Sequence, residues 1–206
     1  MSLLFQRLYT TLAWAYDFIA AAVSFGRWNA WIEAVIPYLD SSPVLELGSG
    51  PGHLQVALAK RGIRVYGLDP SPQMCQRAQR RLRIAGFIPK ILRGRAEKAP
   101  FENASFVCMA ATFPAPYLFT PAAAQEVFRL LQPGGKLIVL LSAQIGGTHL
   151  AVRLIHLLLH WTGQQPSDAL IGERLLLVFE QAGLEVKIQH EKSNADELLL
   201  FIIHRP

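Results

Sequence analysis

The sequence predicts an α/β fold, a mostly parallel sheet with helices on both faces. Three observations predict it. Val44-Leu45-Glu46-Leu47-Gly48-Ser49-Gly50-Pro51-Gly52-His53-Leu54 reads as a buried strand, a glycine turn and the start of a helix. Short apolar runs then alternate with helical patterns. The chain closes on two strand-like runs, 184–190 and 197–204, joined by a polar Lys192–Asp196 loop, which reads as an antiparallel hairpin.

The composition fits one domain over residues 1–206. It is 51% hydrophobic and 17% charged, with mean hydropathy +0.26. Such a chain builds a core readily, and disorder is not expected. The net charge is +5, and much of the excess lies in Arg77, Arg80, Arg81, Arg83, Lys90, Arg93 and Arg95. No aromatic residues interleave with these arginines, so no nucleic-acid partner is expected. A solvated helix face, or attraction to anionic headgroups at a membrane surface, accounts for them. The two cysteines, Cys75 and Cys108, have no metal-ligand spacing and suit a reducing, cytoplasmic setting. The apolar N-terminus is interrupted by Arg7 and Asp17 and does not read as a secretory signal. No uninterrupted apolar stretch reaches the ~18–20 residues that a membrane span needs. The pattern specifies no oligomeric state.

Residues 1–40 read as two helices, with Leu4, Leu8, Leu12 and Ala15 at helical spacing, then Trp28, Trp31, Ile32 and Val35. Their aromatic load, Tyr9, Trp14, Tyr16, Trp28 and Trp31 among it, suits packing onto the domain or a cover over a ligand pocket. The core spans 43–141. After the first strand and turn comes a helix over 54–60, closed by Gly62, and a second strand over 63–68 with Asp69 at its end. An acid about 20 residues past a glycine turn, at the carboxyl end of the next strand, can accept hydrogen bonds from both ribose hydroxyls of a bound nucleoside. Its alternative role is to N-cap the following helix, 73–84. A third strand is expected over 88–92 and a fourth over 105–111. Ala111 and Thr112, at the carboxyl end of the fourth, should line a ligand crevice. A helix over 122–131 leads into Pro133-Gly134-Gly135, read as a turn, and a fifth strand.

Residues 144–163 read as an inserted apolar helix punctuated by His149, His156 and His160. No carboxylate or cysteine joins these histidines, so no metal site is expected. A substrate lid, a bilayer-touching helix and plain core packing are its alternatives. Residues 168–206 supply the last helix and the hairpin.

The glycine spacing bears on the ligand. A dinucleotide fingerprint would place a third glycine at the position of His53. The pattern here, Glu46-x-Gly48-x-Gly50-x-Gly52, resembles the first motif of the class I S-adenosylmethionine (SAM)-dependent methyltransferases. Tyr16-Asp17, Ser24-Phe25-Gly26 and Trp31 look like the N-terminal signature of the ubiquinone/menaquinone-biosynthesis type within that family. Pro133-Gly134-Gly135 and the closing hairpin match it too, so the resemblance runs over about 43–206. It implies a Rossmann-like, seven-stranded, mostly parallel sheet with a C-terminal antiparallel hairpin, SAM as cofactor, and a small, hydrophobic or lipid-like methyl acceptor.

It also implies site residues. Gly48, Ser49, Gly50 and Gly52 would approach the methionine part of SAM, and Glu46 its amino group. Asp69, with Pro70, would take the ribose, while Met74 and Ala96 would pack around the adenine. The family usually has an aspartate at the position of Arg95 to meet the adenine amine. Arginine only donates, so Glu97 or backbone carbonyls would substitute. His53, Tyr16 and His149 are candidates for a general base, needed only if the acceptor must lose a proton. A non-catalytic binding module on the same fold and a nucleotide-dependent oxidoreductase remain the alternatives.

Overall fold

The computed structural model describes residues 26–114, 116–146, 168–193 and 195–206. The first expected helix, with Tyr16, and residues 147–163 of the expected inserted helix, with His149, His156 and His160, lie outside the described residues; Gln144, where that helix is expected to begin, ends a strand instead.

The elements follow the order α1 (Trp28–Glu33), β1 (Val44–Leu47), α2 (His53–Lys60), β2 (Val65–Asp69), α3 (Pro72–Ile84), β3 (Ile91–Arg93), β4 (Phe106–Thr112), α4 (Pro121–Leu130), β5 (Leu131–Gln144), α5 (Asp168–Gln181), β6 (Glu185–Ser193) and β7 (Asp196–His204). The strands form one sheet in the order β3-β2-β1-β4-β5-β7-β6. β3, β2, β1, β4 and β5 run parallel. β7 is antiparallel to both neighbours, β5 and β6. The expected sheet is therefore present, hairpin included.

Each face of the sheet carries its own core. Val44, Cys108, Ala110, Ile138, Leu140 and Leu200 pack against Trp31 and Ile32 of α1 and Leu54 and Leu58 of α2. Leu45, Leu47, Met109, Leu137 and Phe201 pack against Val127 of α4 and Leu175 and Phe179 of α5. β1 is buried at all four positions. That explains its unbroken apolar run, apart from Glu46, in place of strand alternation.

Two expectations are corrected. Pro133-Gly134-Gly135 is part of β5, which begins at Leu131 directly after α4. Leu131 pairs with Phe106, and the ladder resumes at Lys136 opposite Cys108, so the prolyl-glycyl-glycine is a bulge within the strand. The C-terminal strand stitches it down, since Gly134 N–H donates to Arg205 C=O at 2.9 Å and Arg205 N–H donates to Gly135 C=O at 2.9 Å. β3 is shorter than 88–92, and Ile88 before it is 87% exposed. An exposed isoleucine cannot hold a strand by burial, although the residue type favours one.

Candidate active site

The carboxyl ends of β1, β2 and β4 lie side by side, and the glycine turn crosses them. The amides of Gly48 and Ser49 both donate to Leu68 C=O of β2, at 2.8 and 3.1 Å. Gly52 N–H donates to Ser49 C=O at 3.0 Å, which closes the turn into α2.

The three glycines meet three different demands, although all have positive φ. A Cβ on Gly50 would meet nothing nearer than Gly48 O at 4.0 Å. A Cβ on Gly52 would stand 2.9 Å from Ala78 Cα, so this glycine lets α2 pack against α3. A Cβ on Gly48 would collide with the Tyr117 hydroxyl.

Asp69 is 1% exposed and bridges two loops. Its Oδ2 accepts from Gly50 N–H at 2.8 Å, and its Oδ1 accepts from Ser71 N–H at 2.8 Å. Burial raises its carboxyl pKa, opposed by these two hydrogen bonds. Each oxygen keeps a second lone pair for a ligand. The alternative helix-capping role falls to Ser71, whose Oγ accepts from Met74 N–H at 3.3 Å. That leaves the Asp69 carboxylate to the turn.

Glu46 stands in β1 between Gly67 and Ala110 and is 2% exposed. Its Oε2 accepts from Gln55 Nε2 at 2.7 Å. Burial, with a smaller push from the Asp69 charge, lifts its pKa from 4.5 to about 8 despite that bond. Ser49 points its hydroxyl at the side of Gly67, where the missing Cβ leaves room, and the buried Oγ has no partner among the described residues.

On the third strand's side, Arg95 turns outward, with 72% of its side chain exposed, and pairs with Glu97 Oε1 at 3.0 Å. Glu97 Oε2 is buried without a partner among the described residues. Ala96 is buried between them, Met74 is fully buried under the N-terminus of α3, and Pro70 is exposed. Ala111 and Thr112 end β4 as expected, Ala111 buried and Thr112 partly so. His53 begins α2, beside Gly52. The structure thus gathers the expected residues from Glu46 to His53, 69–74, 96–97 and 111–112 along the carboxyl edge of neighbouring strands.

Sequence reasoning missed two features of this edge. Tyr117 lies in a short 3-10 turn, 116–119, and reaches back over the glycine turn. Its position just after β4, between Pro116 and α4, was the available signal. Phe113 follows β4 with φ +48, a costly conformation for an aromatic residue. Its amide donates to Leu140 C=O at 2.8 Å, and its ring stacks on Trp28 at 4.5 Å. Phe113, Trp28 and Trp31 therefore form an aromatic wall beside the end of β4.

These side chains fit a nucleoside-bearing cation such as SAM. Asp69, Glu46 and Glu97 offer acceptors and negative charge, and one buried Glu97 oxygen has no partner among the described residues. Comparison with known proteins agrees. Residues 45–139 match the family model described as a methyltransferase domain. The chain is 29% identical over 149 residues to a ubiquinone/menaquinone biosynthesis C-methyltransferase of Blochmanniella floridana, covering 68% of this chain and 58% of that protein. It is 31% identical over 141 residues to a demethylmenaquinone methyltransferase of Thermus thermophilus, covering 65% and 63% respectively. The matches thus span about three fifths of these relatives' lengths. Among solved structures, a geranyl diphosphate C-methyltransferase of Streptomyces coelicolor, bound to S-adenosylhomocysteine, superposes with TM-score 0.61 at 15% identity, covering 86% of this chain and 79% of that one. A SAM-dependent methyltransferase of Methanosarcina mazei superposes with TM-score 0.56 at 17% identity, covering 83% and 96%. At such identity these two speak for the fold. Sheet order, glycine turn and the match to the methyltransferase domain place the core, residues 45–139, with the class I SAM-dependent methyltransferases, and the sequence relatives it resembles are of the ubiquinone/menaquinone-biosynthesis type.

Proposed function

We propose that the chain acts as one domain that transfers a methyl group from SAM to a small, apolar acceptor. The observation that carries this reading is the Asp69 carboxylate. It is tied to Gly50 N–H and Ser71 N–H at the carboxyl ends of β1 and β2, and each oxygen keeps an acceptor position. A vicinal diol such as a ribose matches two such oxygens.

SAM would supply a sulfonium methyl, which is electrophilic without further activation. The chain's residues bind, orient and exclude water. Asp69, with Pro70 at its flank, holds the ribose. Glu97 Oε2, buried without a partner among the described residues, accepts from the adenine amine, which Arg95 cannot do. Met74 and Ala96 pack near the base. The open Cβ side of Gly50 and the turn from Gly48 through Ser49 to Gly52 admit the amino-acid end. Glu46 ionises to meet its ammonium. Ala111 and Thr112 border the acceptor, and the Phe113–Trp28–Trp31 wall favours an apolar one. Alignment and water exclusion supply most of the rate. Should the acceptor need to lose a proton, His53 is the described candidate for the base.

The relatives' names make demethylated quinols the first acceptors to assay. Among the described residues, no helix is long and apolar enough to cross a membrane. Two free, buried cysteines suit a cytoplasmic setting. Arg80, Arg83 and the exposed Ile84 and Ile88 suit contact with an anionic membrane surface.

Thermal unfolding with SAM, S-adenosylhomocysteine and NAD, all at one concentration 100 times the dissociation constant of the sulfur ligands, tests the cofactor. Binding at that excess adds about 2.7 kcal/mol, or roughly 5–10 °C for a chain of this size. The expected result is a shift with both sulfur ligands, none with NAD, and loss of the shift in Asp69→Ala. Absence of a shift with either sulfur ligand up to millimolar concentrations overturns the reading.

A further inference from the structure

Acids dominate the inner side of the glycine turn, while the Arg81 guanidinium on its flank is turned onto Pro51 C=O at 2.5 Å. Asp69, Glu46 and Glu97 all place negative charge there, and the Ser49 hydroxyl points away over Gly67. That suits the ammonium, the ribose and the adenine amine of a nucleoside amino acid. It is hostile to the carboxylate on the same amino-acid end, which needs donors.

Tyr117 brings a further donor to the turn, on the Gly48 side. Its hydroxyl rests against Gly48, in the space a Cβ would occupy. No hydrogen bond reaches that hydroxyl among the described residues. The side chain is held there by its surroundings. Its ring packs on the core that holds Leu45, Leu47, Val127 and Phe179. Its carbonyl accepts from Thr120 Oγ1 at 3.0 Å, and that same oxygen caps α4 by accepting from Ala123 N–H at 3.2 Å. Tyr117 is thus anchored through the first turn of a helix.

We propose that the Tyr117 hydroxyl is the donor that binds the carboxylate of the cofactor's amino-acid end. The inference rests on the cofactor reading above and names a recognition residue within it. Burial, then the charges of Asp69, Glu97 and Glu46, raise the phenol pKa above its ordinary value of 10. The hydroxyl therefore stays a proton donor throughout the physiological range. Gly48 gains a second reason to be glycine, since any side chain there would displace the hydroxyl.

The test compares Tyr117→Phe with wild type by calorimetric titration against two ligands. S-adenosylhomocysteine carries the amino-acid end. 5′-Methylthioadenosine has the same nucleoside and thioether and lacks that end. A hydrogen bond to a charged group is lost in the first case only. The variant is therefore expected to bind S-adenosylhomocysteine about tenfold more weakly. It should bind 5′-methylthioadenosine as wild type does, which also reports that the cradle remains folded. An S-adenosylhomocysteine affinity within twofold of wild type, or equal weakening of both ligands, overturns the proposal. If the wild type binds neither ligand, the cofactor reading itself falls, and this inference with it.

Discussion

Glu46 lies in the middle of a central strand with almost no exposure, and its pKa of about 8 makes it a titrating group near neutrality. Its folded pKa is above the ordinary 4.5, so its contribution to stability is full below pH 4.5 and is lost as pH rises through 8. The rise from 4.5 to about 8 bounds the loss at roughly 5 kcal/mol. Glu46→Gln keeps an acceptor for Gln55 and cannot ionise. Urea unfolding of wild type should weaken relative to this variant between pH 5 and 8.5, with a pH-independent difference counting against the titration. A bound cation favours the ionised carboxylate, so SAM affinity should rise toward pH 8 in wild type and stay flatter in the variant. The glycines give a second contrast. Gly52→Ala and Gly62→Ala both place a side chain at positive φ, but nothing stands within 4 Å of a Cβ on Gly62. Gly62→Ala should cost about 1 kcal/mol in urea unfolding, and Gly52→Ala distinctly more, because Ala78 Cα blocks it. Equal costs would mean that α2 and α3 part freely. The sequence pattern made Glu46, Asp69 and the glycine turn legible because each is a residue type at a fixed offset from a strand end. It could not show Ser71 taking the cap from Asp69, Arg95 turning to solvent, or Tyr117 folding back over Gly48. Each of those depends on side-chain directions across segments distant in sequence.

At the scale of elements, Asp196 ties together pieces that the pattern leaves unconnected. Its carboxylate, at the start of β7, accepts from Arg27 NH1 at 2.6 Å, Trp31 Nε1 at 2.8 Å and Gly146 N–H at 3.1 Å. One buried acid thus joins the entry to α1, α1 itself, the residues just past β5, and the closing hairpin. It read as a loop residue because an acid between two strands ordinarily faces water. Here the neighbouring donors satisfy it instead. Asp196→Ala should destabilise the chain by about 2–4 kcal/mol, since it strands a buried indole N–H and an amide and removes the carboxylate from beside Arg27. Hydrogen exchange should then quicken at residues 27–33 and 143–146 together, while β1 and β2 keep their protection. A loss under about 0.5 kcal/mol would show that water replaces the carboxylate at no net cost. Elements with strong periodicity, such as α3 and β4, were legible to within a residue or two. β5 was not, because Pro133-Gly134-Gly135 reads locally as a turn. Only pairing with Arg205, 70 residues later, makes it a bulge in a strand.

Over the whole molecule, the order β3-β2-β1-β4-β5-β7-β6 places the site. From β1 the chain winds outward through β2 to β3, then returns across to β4 on β1's other side. The loops leaving β1 and β4 therefore diverge and open a crevice at the carboxyl edge. The glycine turn, Asp69, Glu97 and Tyr117 converge there, whereas β6 lies at the opposite margin, past β5 and β7. β6 is exposed or partly exposed at every position, so its outer amides exchange by local fraying that a distant ligand does not oppose. Hydrogen exchange with and without S-adenosylhomocysteine should consequently show added protection at residues 46–54, 69–74, 95–97 and 111–119. Exchange over 185–193 should be unchanged. Protection at the hairpin with none at the turn would move the binding site to the other margin of the sheet. Added protection at the turn alone, absent from 111–119, would leave β1 and β2 holding the ligand and detach β4, Tyr117 included, from the site.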